Sequence, residues 1–153
     1  MTSYDQARIL VGQYLDWQTK NLNVNVQEDK ESRVIIETPF ARADGHAFDI
    51  EVCFLDDGIV RFTDIGDTLD ELWMQGITLR PPIIDQIDRI ARRFRVKLSV
   101  DDYVLRNDGD GGARQFQDLV SAILAISALI DRRREAVQGE VDSSGNTEIP
   151  SLG

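Results

Sequence analysis

Leu119 to Ile130 reads LVSAILAISALI, and only Ser121 and Ser127 interrupt its apolar run. A helix apolar on every side is buried on every side. The stretch is therefore either the central helix of a domain or part of an interface between subunits. The flanking residues extend the helix from about Ala113 to about Glu135. Arg132, Arg133 and Arg134 stand at its end, where cations complement the helix dipole.

The segments before it supply a sheet for such a helix to cover. Leu22, Val24 and Val26 alternate with Asn23, Asn25 and Gln27, the two-residue period of a half-buried strand. Glu28–Ser32 is a polar turn, and Arg33–Thr38 is a second strand that Pro39 should end, having no amide to give to a ladder. Ala47–Leu55 is a third, with Phe48, Ile50, Val52 and Phe54 on one face and Asp49, Glu51 and Cys53 on the other, solvated one. Asp56-Asp57-Gly58 is a tight turn into a fourth strand, Ile59–Thr63. These connections are too short for crossover helices, so the strands run antiparallel. Val96–Val100 and Tyr103–Leu105 read as two further short strands, and Asn107–Gly112 as a flexible connector.

Helices complete the set. Ser3 and Gln6 form a capping-box pattern before Tyr4, Ala7, Leu10, Val11, Tyr14 and Leu15, which recur at helical spacing over residues 3–17. Thr68–Gln75 is a short helix stopped by Gly76, and a third follows Pro81-Pro82 with Ile83, Ile84, Ile87, Ile90, Ala91 and Phe94 as its apolar face. The expected architecture is one α+β domain over residues 1–136. It holds an antiparallel sheet of about four strands packed against a long C-terminal helix and shorter helices, and a disordered acidic and polar tail occupies 137–153.

Composition narrows the chemistry. One cysteine, Cys53, and one histidine, His46, exclude an intramolecular disulfide, multi-cysteine zinc sites and His-rich metal motifs. Neither has a partner within a recognisable nucleophile motif. The amino-terminal residues lack the pattern of a secretory signal and no run reads as a membrane span, so the expectation is a cytoplasmic protein. The formal net charge is −10, and its distribution is polarised. From Asp44 to Glu71 nine acids (Asp44, Asp49, Glu51, Asp56, Asp57, Asp64, Asp67, Asp70 and Glu71) face the single base Arg61, while Arg89, Arg92, Arg93, Arg95 and Lys97 form a basic run.

Three function classes follow. A Mg2+-dependent nuclease or phosphodiesterase would need converging carboxylates, for which Asp49, Glu51, Asp64 and Asp67 are the candidates. The lysine that should follow Asp49-Ile50-Glu51 in a restriction-type core is missing. The competing structural reading has Asp64 organise a turn, Gly66 take a left-handed conformation and Asp67 cap the helix that follows. A nucleic-acid binder would use Arg89 to Lys97, although that run has no stacking aromatics. The reading favoured is a non-enzymatic protein-binding module using Asp44, Asp56, Asp57, Asp70 and Glu71, with no cofactor. It would be able to self-associate through residues 119–130. Trp17 and Trp73 read as core or rim residues.

ETPFARADGHAFDIEVCFLDDGIVRFTDIGDTLDELWMQGI, Glu37 to Ile77, resembles the bacterial and phage family catalogued as domain of unknown function 1828. The features carrying the resemblance are Thr38-Pro39 at a strand end, the Asp44-Gly45 turn and the Thr63-Asp64-Ile65-Gly66 step into a helix. Ile90–Val96 and the long last helix fit as well, so that it covers about residues 5–135. The resemblance implies a small module of bacteria and mobile elements with no catalytic residues to carry over. Where the family tends to place a second acid after the Thr-Asp step, this chain has Ile65. Within the protein-binding class, the specific reading is a phage-encoded inhibitor of a host defence system acting through an acidic surface, by analogy with charge mimicry of nucleic acid.

Overall fold

A computed structural model describes residues 1–26 and 33–133. The polar turn 28–32 and the tail from 137 onward lie outside the described residues. One antiparallel sheet of six strands organises the domain, in the order β1-β2-β3-β4-β6-β5. These are β1 Asn23–Val26, β2 Arg33–Ala41, β3 Ala47–Phe54, β4 Val60–Thr63, β5 Lys97–Ser99 and β6 Val104–Gly109. The helices are α1 Ser3–Asn21, α2 Asp67–Met74, α3 Pro81–Arg93 and α4 Ala113–Ser127. The α+β architecture is as the hydrophobic periods require, and the sheet is wider than four strands because the two short strands join it.

Side chains alternate across the sheet. Ile50 pairs with Ile36, and Val52 with Val34 and Phe62, so these residues share the helix-covered face. Phe48, Ile50, Val52 and Phe62 are buried beneath α2 and α4. Phe62 meets Phe116 of α4 edge to face, with centroids 5.5 Å apart. Gln115 fixes α4 onto the strands. Its Nε2 donates to Val60 O at 2.8 Å and to Asn107 O at 3.1 Å, and Asn107 Nδ2 donates back to Gln115 O at 2.8 Å.

Leu119, Val120, Ala122, Ile123, Ile126, Leu129 and Ile130 are all buried inside the chain. The over-apolar stretch is thus the central helix of the domain. By length and composition Ala113–Arg133 is also apolar enough to cross a membrane, where no run was expected to be.

Several local expectations change. Thr2, not Ser3, caps α1: its hydroxyl donates to Asp5 Oδ2 at 2.7 Å and accepts from Asp5 N at 3.1 Å. Pro39 does not end β2, because the register shifts between Glu37 and Ala41 and a proline inside a bulge has no ladder amide to lose. Thr38 Oγ1 donates to Phe48 O at 2.7 Å across that bulge. Asn107-Asp108-Gly109 belongs to β6 and not to a connector, since Phe62 and Arg61 of β4 register against Asn107 and Asp108. Gly111 is the connector's constrained position. Its φ is +83°, and a Cβ there would lie 2.9 Å from Val60 Cγ2. Burial along β3 departs from its faces at two places: Glu51 is 7% exposed where solvent was expected, and Phe54, on the apolar face, is exposed.

Arg61 and Asp108 form a bidentate pair across β4 and β6, at 2.7 and 2.9 Å. The Arg61 guanidinium holds the Asp108 carboxyl below its ordinary value of 3.8. A depressed carboxylate contributes stability that is present above its unfolded value and lost as the pH falls through its folded one. Half-exposed pairs contribute up to about 1 kcal/mol. Arg61→Ala is therefore expected to cost that much at neutral pH. The difference from wild type should vanish in urea titrations as the pH drops below 3.8.

Candidate functional site: an acidic cleft at the helix α2 turn

The sheet delivers its chain to α2 through Thr63-Asp64-Ile65-Gly66, and Asp64 holds that turn. Its side chain is 1% exposed. Oδ1 accepts from Gly66 N at 2.9 Å and Leu105 N at 3.0 Å, and Oδ2 from Thr68 N at 3.1 Å. Its own amide donates to Leu105 O at 3.1 Å. One carboxylate thus caps α2 and ties it to β6. Asp67 does not cap the helix: the cap position is Gly66 at φ +87°, and Asp67 is the first helical residue. Burial pushes the Asp64 carboxyl up, against the three amides that favour its charge.

Beside this turn lies a cleft of about 400 Å³. Asp67, Asp70 and Trp73, spaced three apart on α2, present one helix face to it. Asp102 and Tyr103, from the β5–β6 turn, close the other side. Two residues with left-handed backbone line it: Ile65 and Tyr103 sit at φ +64° and +57°. A β-branched residue in that region is a genuine outlier, of the kind that collects at ligand sites. Trp73 is 64% exposed and Tyr103 is also open to solvent. Hydrogen bonding from Ser99 holds Asp102 below its ordinary value, while burial and the neighbouring Asp49 and Asp70 push Asp67 up.

Behind Asp67, burial and the Glu37 charge raise Asp49 as well, and the Arg42 charge opposes the rise at both carboxyls without cancelling it. The Arg42 guanidinium lies 5.9 Å over the Phe48 ring, and Nε and Nη1 are buried without a hydrogen-bond partner. Asp44 closes the cluster. It accepts from His46 N at 2.9 Å, stands 2.9 Å from His46 Nδ1 and shares a hydrogen bond with Glu71. Burial pushes it up, and these bonds together hold it below the ordinary value.

The acids of the middle segment therefore divide. Asp44, Asp49, Asp67, Asp70 and Glu71 gather at one end of the sheet. Asp56 and Asp57 lie at the β3–β4 hairpin, at the other end of the same strands. Among the described residues, no three of His, Cys, Asp and Glu converge in a way that could hold a metal ion. Asp64, one of the four magnesium candidates, is occupied by backbone amides, and Glu51 is buried in the sheet. The basic run is dispersed as well. Arg95 is bidentate to Asp118 at 2.8 and 3.0 Å, Arg92 pairs with Asp88 at 3.0 Å, and Arg89 Nε donates to Asp85 O at 3.3 Å. Arg93 ends α3, and Lys97 stands opposite Arg106 on β6.

The cleft residues absent from the sequence candidates are Trp73, Asp102 and Tyr103. The spacing Asp67, Asp70, Trp73 carried a signal, a shared helix face. Nothing local joins Asp102-Tyr103 to it. No family model, curated protein or solved structure matches this chain.

Proposed function

We propose that the chain is a non-enzymatic protein-binding module that takes an arginine- or lysine-bearing segment of its partner into the cleft between α2 and the β5–β6 turn. The observation carrying this is the pairing of two exposed aromatics, Trp73 and Tyr103, with three carboxylates, Asp67, Asp70 and Asp102, around one cavity. A cation over an aromatic face gains about 0.5–2 kcal/mol, and carboxylates beside it add directional hydrogen bonds. A cation would also offset the Asp49 and Asp70 charges, which add to burial in raising Asp67. The resemblance carried by Glu37–Ile77 supports a bacterial or phage origin. An acidic surface that occupies a basic, nucleic-acid-binding site of a defence protein is the reading that joins that origin to this cleft.

The test is binding of a labelled arginine-rich peptide to the full chain, followed by fluorescence anisotropy at rising salt. Trp73→Ala and Asp70→Lys should each weaken binding about tenfold, equivalent to 1.4 kcal/mol. Asp56→Lys, at the far hairpin, should change it little beyond the general salt effect. Equal losses from Asp56→Lys and Asp70→Lys would reduce the effect to net charge and remove the cleft from the account. A pull-down from bacterial lysate that recovers no protein dependent on Trp73 would also count against it.

A further inference from the structure

α1 has nineteen residues and buries none of them. At 1.5 Å per residue it is about 28 Å long, joined to β1 through the single residue Leu22. Its large apolar side chains gather on one side, apart from Ile9, which is exposed on the polar face. At 100° per residue, Tyr4, Leu10, Val11, Tyr14, Leu15 and Trp17 fall within an arc of roughly 160°, and each is exposed. Asp5, Arg8, Asp16 and Lys20 occupy the remaining face, with Lys20 bound to Asp16 at 2.8 Å. Tyr14 and Trp17 stack with centroids 6.2 Å apart, which organises a stripe that no other described residue covers.

Among the described residues, the sheet also presents an apolar surface that nothing covers. Beyond the reach of α4, the helix side of the sheet continues over β1 and β2. There Val24 of β1 and Val34 and Ile36 of β2, with Phe54 and Val60 from the hairpin ends of β3 and β4, line an open hollow of about 340 Å³. Val24 is 64% exposed. A second hollow of about 410 Å³ adjoins it, bordered by Phe40, Phe116 and the last residues of the α1 segment, Gln18 and Leu22. Only the C-terminal end of α1 reaches this surface, and the stripe from Tyr4 to Leu15 does not cover it.

We propose that α1 is an exchanged arm: its stripe seats on the open β1–β2 face of a second copy of this chain, and that copy returns its own α1. A two-fold pair satisfies both unpartnered surfaces at once, since an isologous interface uses the same patches on both chains. The charge pattern selects this occupant. α1 has two acids and two bases, so it is neutral within a chain of net charge −10 and approaches an acidic copy without repulsion. Helices that settle on anionic membranes instead carry Lys and Arg in excess on the polar face. The area also fits. With an aromatic side chain presenting roughly 150–250 Å², the half-exposed stripe offers on the order of 700 Å², against about 800 Å² per partner in a standard interface.

Sedimentation of the full chain at tens of micromolar should give twice the chain mass of 17.3 kDa. Leu10→Glu and Val24→Lys should each give monomers with unchanged circular dichroism, because both positions are exposed. Mixing the two variants should restore a dimer, because one arm then meets its face with opposite charges and the other arm and face are native. Hydrogen exchange gives an independent reading on the unaltered chain: α1 amides should gain protection as concentration rises. A wild-type monomer, or α1 exchange independent of concentration, overturns the proposal, whether or not α1 then binds anionic vesicles. A Val24→Lys variant that stays dimeric while Leu10→Glu does not would make the contact helix to helix and overturn the seat on the sheet. Dimers from both variants would move the interface elsewhere.

Discussion

Asp64→Ala is expected to lower the unfolding free energy by about 3–9 kcal/mol, the cost of leaving three buried or part-buried donors unpaired at about 1–3 kcal/mol each. The donors are the amides of Gly66, Thr68 and Leu105, all within 3.1 Å of the carboxylate. Against a total stability of about 5–15 kcal/mol for a domain of this size, that is a large share. Urea denaturation reads it directly, and α2 should be the first element to lose protection from hydrogen exchange. Asp64→Asn keeps the Oδ1 acceptor for two of the three amides but sets an NH2 against the third. Its loss should be smaller, about half. If Asp64→Ala costs less than about 1 kcal/mol, a typical net value for a single hydrogen bond, the turn does not depend on this side chain.

The pH dependence of the same pair of proteins follows from burial. The Asp64 carboxyl is raised above 3.8 in the folded chain. A raised carboxyl contributes stability that is fully present below the unfolded value and lost as the pH rises through the folded one. Asn has no such dependence, so the margin of wild type over Asp64→Asn should widen as the pH is lowered from neutral toward 3.8.

Alternation and helical period made most of the architecture readable, and the departures have identifiable causes. Periodicity assigns Leu22–Val26 to a half-buried strand, but it cannot say whether a neighbour arrives to bury it. β1 is at the sheet edge with its valines open. The helical spacing of residues 3–17 is real, but spacing alone does not say what an apolar face meets, and α1 buries none of its residues. Pro39 reads as a stop because a ladder amide is missing, and a bulge set by long-range pairing with β3 removes that need. At the site, the Thr63–Asp67 turn was legible in kind, from the turn chemistry of Asp and Gly. The division of labour between Asp64 and Asp67 was not, because it depends on the Leu105 amide forty-one residues away. The cleft shares that dependence, since Asp102 and Tyr103 reach α2 only through the pairing of β6 with β4.

The two roles open to Leu119–Ile130 make different demands on neighbouring residues, and one substitution pair separates them. Ile123 is fully buried within the chain, whereas Leu124, next to it, is 36% exposed. Truncating a buried isoleucine costs about 2–5 kcal/mol through lost transfer energy and the cavity left behind. Ile123→Ala should therefore destabilise by that amount, and by the same amount at every protein concentration, because the cavity forms inside one chain. Leu124→Ala, partly solvated already, should cost less than about 1 kcal/mol. A helix that served chiefly as a subunit interface would invert this pattern. Its losses would fall on the exposed leucine, and the unfolding midpoint would shift with concentration, since mass action then enters the equilibrium. Unfolding of both variants over a hundredfold range of concentration makes the distinction. The arm proposed for α1 predicts a further detail: any dependence on concentration should be abolished by Leu10→Glu and left intact by Leu124→Ala. That outcome would assign α4 to the core and self-association to the amino-terminal helix.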